Sequence, residues 1–115
     1  MLPRSKRLNL KKDFKWVASG KKIETRYMKL FIKMGENTTP RVGIALSSQV
    51  FKKATQRNRA KRLVSSAFES TIYHLPSTIN IVALPKAEIL DVKSGDVCLE
   101  LEEVLTDEKI LDRVN

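Results

Sequence analysis

The sequence predicts an α+β fold: one small sheet with helices packed on it. Two stretches alternate apolar and polar residues with the period of a half-buried strand, RYMKLFIKM at 26–34 and RVGIALS at 41–47. A third, TINIVAL at 78–84, is a short apolar run fenced by Pro76 and Pro85. Between the second and third strands, Ala60, Leu63, Val64, Ala67, Phe68, Ile72 and Leu75 keep helical spacing for four turns. The 115 residues suit a single domain spanning 1–115.

Residues 1–8 are basic and without pattern, as expected of an extended arm. Asn9 then suits an N-cap; Leu10, Phe14 and Val17 recur at helical intervals, and Gly20 supplies a stop. The gap before the first strand has room for another short strand. In that first strand Met28, Leu30, Ile32 and Met34 form one face, and Tyr27, Lys29, Phe31 and Lys33 the other. GENTTP is a turn. In the second strand Val42, Ile44 and Leu46 point one way; Arg41, Gly43, Ala45 and Ser47 leave the opposite face low and open. A long helix follows from about Thr55 to Tyr73, ended by Pro76. After the third strand, a last helix carries Leu101, Val104, Leu105, Glu108 and Leu111 on one face. Its start lies near Asp91 or near Ser94, and residues 106–115 read as a frayed acidic end.

Charge narrows the partners. There are 22 basic and 13 acidic residues, a formal net charge of +9. Residues 1–85 hold 18 basic and 4 acidic side chains, and the remainder 4 basic against 9 acidic. A polyanion, nucleic acid or an anionic membrane surface, is the partner such a field favours, on a surface built from the first three-quarters of the chain. No apolar run approaches the length of a membrane span, and the N-terminus lacks the apolar stretch of a secretory signal. One cysteine, Cys98, excludes an internal disulfide framework and fits a reducing cytoplasm. With His74 the sole histidine, a Cys/His zinc cluster within one chain is excluded as well.

Two constellations suit RNA. KKATQRNRAKRL places Lys52 and Lys53 ahead of Arg57, Asn58, Arg59, Lys61 and Arg62, near the N-terminal end of the long helix. No acidic residue lies between Glu36 and Glu69 to neutralise them. Basic runs are commonly solvated helix faces; here the missing acidic partners favour a phosphate-binding helix. The second is the Tyr27, Lys29, Phe31 and Lys33 face, which offers π-faces for bases and charges for a backbone. The same pattern suits a covering helix with snorkelling lysines, and the alternation alone does not choose. With Phe14 and the low face of the second strand beside these rings, it makes a shallow groove.

Catalytic groups are sparse. Asp13, Glu24, Glu36 and Glu69 are scattered, with no paired-carboxylate signature for acid/base or two-metal work. His74 sits alone near a helix end, and Cys98 has no sequence neighbour to activate it. The ELEE of the acidic end reads as an ordinary solvated helix face.

RVGIALSSQVFKKATQRNRAKRLVSSAF, residues 41–68, resembles the strand-plus-helix signature of the bacterial ribonuclease P protein component, in which an RNR motif is followed by a KR pair. RLNLKKDFKWV and TINIVAL are similar to flanking parts of the family pattern, so the resemblance covers roughly residues 4–105. It implies an α-β sandwich like ribosomal protein S5 domain 2, a mixed sheet with a left-handed βαβ crossover. It implies an accessory subunit of an RNA-based endonuclease that removes 5′ leaders from precursor tRNA. In that assembly the catalytic RNA holds the Mg²⁺ and performs the hydrolysis, and the chain contributes no catalytic residue. The implied partners are the catalytic RNA, on Arg57, Asn58, Arg59, Lys61 and Arg62, and precursor tRNA, its leader on Phe14, Tyr27, Lys29 and Phe31. No membrane and no obligate protein partner is implied. The chain departs from the family pattern at Ala18, Ser65 and Leu84, which implies a less aromatic groove and a less charged RNA-facing helix. The competing expectations are a ribosomal or other structured-RNA-binding protein without a role in cleavage, and an enzyme acting through Asp13, Glu24 and His74.

Overall fold

Near-continuous apolar sequence puts one strand in the middle of the sheet. In the computed structural model, which describes residues 2–111, INIVALP forms β4 (Ile79–Pro85), buried along almost its whole length. A strand covered on both faces has no use for alternation, which is why its sequence is apolar but for Asn80, whose buried amide donates to the Lys33 carbonyl and to Asn37 Oδ1. The remaining strands are β1 (Lys21–Glu24), β2 (Met28–Met34) and β3 (Arg41–Ile44), and the sheet order is β1-β2-β4-β3. β1–β2 and β2–β4 are antiparallel, whereas β3 and β4 run parallel and are joined across the long helix. The short strand admitted by the gap after the first helix is β1. It pairs Lys22 with Phe31 and Glu24 with Lys29.

Three helices cover the sheet: α1 (Leu10–Ala18), α2 (Ala54–Thr71) and α3 (Ser94–Asp107). Asn9 caps α1 as expected, its Oδ1 accepting from the Lys12 N–H at 3.3 Å. On one face of the sheet, Met28, Leu30, Ile32, Val42, Ile79 and Ile81 meet Ala60, Leu63, Val64 and Phe68 of α2 in the main core, which also holds Val97, Leu101 and Leu105 of α3. The other face carries a smaller cluster of Leu8, Val17 and Val82, with Leu10, Phe14, Phe31, Ala45 and Leu84 partly buried against it.

Gly20 marks the corner where α1 returns to the sheet. Its N–H donates to the Val17 carbonyl at 2.9 Å, and a Cβ there would stand 2.2 Å from the carbonyl oxygen of Ile32. Backbone cannot step aside as a side chain can. Gly20→Ala is therefore expected to destabilise the fold by about 1–3 kcal/mol, read from the urea midpoint; an unchanged midpoint would show that the corner relaxes freely.

Both ends of the chain differ from expectation. Residues 2–8 are packed rather than an extended arm: Leu2 and Leu8 are buried, Arg4–Lys6 form a 3₁₀ turn, and the Leu8 N–H donates to the Val42 carbonyl at 3.1 Å. Two leucines among three cations made the segment look patternless, yet they suffice to seat it on the edge of β3. At the other end, residues 108–111 fold back instead of fraying. Lys109 adopts φ 61°, the N–H groups of Ile110 and Leu111 return to the Leu105 carbonyl, and Leu111 is buried. This resembles the left-handed closure common at helix ends. Residues 112–115 of the expected frayed end lie outside the described residues.

Candidate nucleic-acid interface

The basic residues of α2 divide into two kinds. Arg57 and Arg59 are engaged with the backbone of this chain. Arg57 Nη1 donates to the Phe51 carbonyl at 2.8 Å and to the Lys52 carbonyl at 3.4 Å, locking the loop that enters the helix over the fully buried Phe51. Arg59 reaches the other way, from Nε to the Leu90 carbonyl (3.2 Å) and from Nη2 to the Val92 carbonyl (3.3 Å), tying α2 to the approach to α3. Their charge remains, but much of their donor geometry is committed. Asn58, Lys61 and Arg62 instead line an open depression of about 390 Å³ with Thr55 and Ser65. Lys61 and Arg62 are exposed and make no ion pair with another described residue. Exposed, uncompensated cations bordering a shallow concavity are suited to phosphate oxygens.

Lys52 and Lys53 lie on the approach to the helix rather than in the depression. Both are exposed, and the Lys53 N–H donates to Gln56 Oε1 at 3.2 Å, closing the first turn.

On the opposite face of the sheet, α1 crosses from β3 to the end of β2. A Cβ on Gly43 of β3 would stand 2.6 Å from Leu10 Cδ2, so the absence of a side chain there is what lets the start of α1 sit down. The low face expected to be open is thus filled at Gly43. Phe14, Phe31, Leu84 and Ala45 are only partly buried, each packed against the small cluster beneath α1. Lys29 stands beside them, paired across the strands with Leu84 on one side and Glu24 on the other. Two partly exposed rings and a lysine thus lie together on this face of the sheet.

Tyr27 is not part of it. The Thr25 side chain closes the β1–β2 turn, its Oγ1 accepting from the N–H of Tyr27 (3.2 Å) and of Met28 (3.0 Å). The alternation starts only at Met28, and Tyr27 joins the main core, 8% exposed. The sequence pattern, which began the strand at Arg26, extended it two residues too far. Lys33 is displaced differently: its ammonium donates to Ser19 Oγ at 2.9 Å and lies 5.4 Å from the Trp16 ring centroid. Trp16, an exposed aromatic on α1, went unnoticed because it breaks the Leu10, Phe14, Val17 spacing; its position two residues after Phe14, on the outer side of the helix, was the available signal.

Electrostatics separate the two ends of the molecule. Glu24 is held below the ordinary carboxylate range by its hydrogen bond and charge pairing with Lys86, with smaller contributions from Lys29 and Lys22. The Lys86 ammonium is 3.0 Å away, so Glu24 stays ionised at neutral pH as a local counter-ion rather than an acid. Glu100, Glu102, Glu103 and Asp107 lie on α3, which packs on α2 and supplies none of the residues lining the basic depression. Glu100 accepts a hydrogen bond from the Arg26 N–H. Among the described residues no group of three or more His, Cys, Asp or Glu side chains is placed to hold a metal ion, and no helix is long and apolar enough to cross a membrane. Asp13, Glu24 and His74 lie on separate elements: Asp13 in α1, Glu24 in β1 and His74 in the 3₁₀ turn after α2.

Comparison with known proteins bears on this arrangement. Residues 2–109 match the family model described as Ribonuclease P. The ribonuclease P protein component of Pseudanabaena sp. is 32% identical over 113 residues, covering 96% of this chain and 97% of that protein. The solved RNase P protein of Thermotoga maritima superposes with a TM-score of 0.76 at 28% identity, covering 88% of this chain and 96% of the other. An RNase P protein mutant of Staphylococcus aureus shares the fold, with a TM-score of 0.81 over 94% of this chain and 92% of the other at 21% identity. Sequence and fold agree along nearly the whole length, and the chain belongs to the ribonuclease P protein family.

Proposed function

We infer that this chain is the protein subunit of a ribonuclease P ribonucleoprotein and supports removal of the 5′ leader from precursor tRNA. Family membership supports association with the catalytic RNA. The observation that carries the surface assignment is the open depression on α2, where Asn58, Lys61 and Arg62 stand uncommitted while Arg57 and Arg59 hold the backbone. In this reading Lys61 and Arg62 neutralise phosphates of the catalytic RNA, and Asn58 adds a directional donor. Arg57 and Arg59 position the helix that presents them. The face of Phe14, Phe31 and Leu84, with Lys29 beside it, takes the single-stranded leader, since partly exposed rings accept bases without reading their identity. Hydrolysis and its Mg²⁺ belong to the RNA; this chain binds and orients. The assembly acts in the cytoplasm.

Reconstitution tests the reading. The purified chain, mixed with a bacterial ribonuclease P RNA at low Mg²⁺, is expected to restore cleavage of precursor tRNA that the RNA alone performs poorly. Protein alone is expected to cleave nothing. Tight RNA binding without rescue, across RNAs of more than one structural type, would favour a structured-RNA binder with no part in cleavage.

A further inference from the structure

A second, smaller concavity of about 160 Å³ lies at the edge of β3. Its floor is aliphatic, from Leu2, Leu8, Val42 and Ile44, and Arg7 and Lys61 add two cations. The packed N-terminal segment supplies one wall: Arg7 bridges to Val42 on the outer side of β3, and its Nε donates to the Leu2 carbonyl at 2.8 Å. Lys61 and Ser65, one helical turn apart on α2, line this pocket and also the larger basic depression.

Ser65 is the unexplained group. The residue is 4% exposed, yet its hydroxyl makes no hydrogen bond with another described residue. A serine inside a helix commonly bonds back to a carbonyl one turn earlier, as Thr71 does to Ala67 at 3.3 Å. No buried side-chain oxygen or nitrogen in the described structure is both sealed from solvent and unpaired. The Ser65 oxygen therefore opens on the two concavities it lines, the one route to a partner left to it. A hydroxyl set in nearly buried surroundings and reached only through these concavities is placed to hydrogen-bond whatever occupies them.

We infer that this pocket takes a single unpaired nucleotide of bound RNA, the base on the aliphatic floor, the flanking phosphates on Arg7 and Lys61, and Ser65 hydrogen-bonded to the nucleotide. The inference rests on the RNA-binding reading above. An isolated small anion has no use for an aliphatic floor, which would only strip its water. An unstacked base offers an apolar face and polar edges together, and single-stranded elements are where RNA presents such bases. The shared wall of Lys61 and Ser65 lets the strand continue directly into the depression of Asn58 and Arg62.

The test uses the full chain labelled with ¹⁵N, titrated with adenosine 5′-monophosphate and, in parallel, with inorganic phosphate. The nucleotide is expected to shift the amides of Gly43, Ile44 and Ser65, while phosphate moves only those near the cations. Ser65→Ala removes the hydroxyl and little volume. It is expected to abolish the nucleotide-specific shifts and to weaken binding of a bacterial ribonuclease P RNA about fivefold, the loss of roughly one hydrogen bond. Arg7→Gln, which keeps a donor for the Leu2 carbonyl, is expected to weaken binding in the same direction. Identical shifts from nucleotide and phosphate, or unchanged RNA affinity in both variants, would overturn the pocket while leaving the RNA-binding reading intact. Failure of the unaltered chain to bind that RNA at all would overturn both.

Discussion

Replacing Lys61 and Arg62 together with Ala is expected to reduce affinity for the catalytic RNA by about tenfold to a hundredfold at moderate salt. The same change should flatten the dependence of log K on log salt by about 1.4–1.8, the contribution of two neutralised phosphates. Both cations are exposed and border the open depression on α2, so little folding stability should be lost. Arg57→Ala and Arg59→Ala separate the roles within the same motif. Each removes donors to backbone carbonyls and is expected to cost about 1 kcal/mol of stability, with a smaller effect on the salt slope. Filter binding across a salt series and urea unfolding of the same variants make the comparison. An unchanged slope for Lys61/Arg62, or an equal slope change for Arg57/Arg59, would move the phosphate contacts elsewhere on the molecule.

The face of Phe14 and Phe31 gives the other large effect. Phe31→Ala and Phe14→Ala are each expected to weaken binding of leader-bearing precursor by about 1–3 kcal/mol, the contribution of one base stacked on an aromatic ring. Mature tRNA, which has no leader, should bind as before. Both rings also pack against the small cluster of Leu8, Val17 and Val82, so Phe31→Leu serves as the control that keeps apolar volume and removes the π-face. Tyr27→Ala is expected to behave differently. Its ring lies in the main core, and truncation should cost about 3 kcal/mol of stability with no preference between precursor and mature tRNA. Equal losses for both RNAs in the Phe31 variants would remove the leader from this face.

Much of this architecture was legible in the chain because it depends on local period. The alternation of 28–34, the apolar run of 79–85 and the four-turn stripe of α2 each follow from which residues must face a core. The family signature is equally local, lying within one strand and one helix. Tyr27 was misplaced because periodicity carries no information about where a turn begins. The Thr25 hydroxyl, bonded to two backbone N–H groups, ends the hairpin two residues later than the pattern implied. Residues 2–8 were misread for a related reason: two buried leucines among three cations carry no recognisable period, and only the exposed edge of β3 gives them a place to bind.

The sequence by itself determined the fold class, the family and the existence of a concentrated positive field, since composition, period and motif are properties of neighbours along the chain. The tertiary structure decided which cations are available. Arg57 and Arg59 look no different from Arg62 as letters, yet their guanidinium groups meet carbonyls contributed by the loop at Phe51 and Lys52 and by residues 90 and 92. Arg62 meets open space. The unpartnered hydroxyl of Ser65 came to light the same way. Whether a charged or polar group binds its own chain or a ligand depends on acceptors brought together by folding, and their distance along the sequence does not record it.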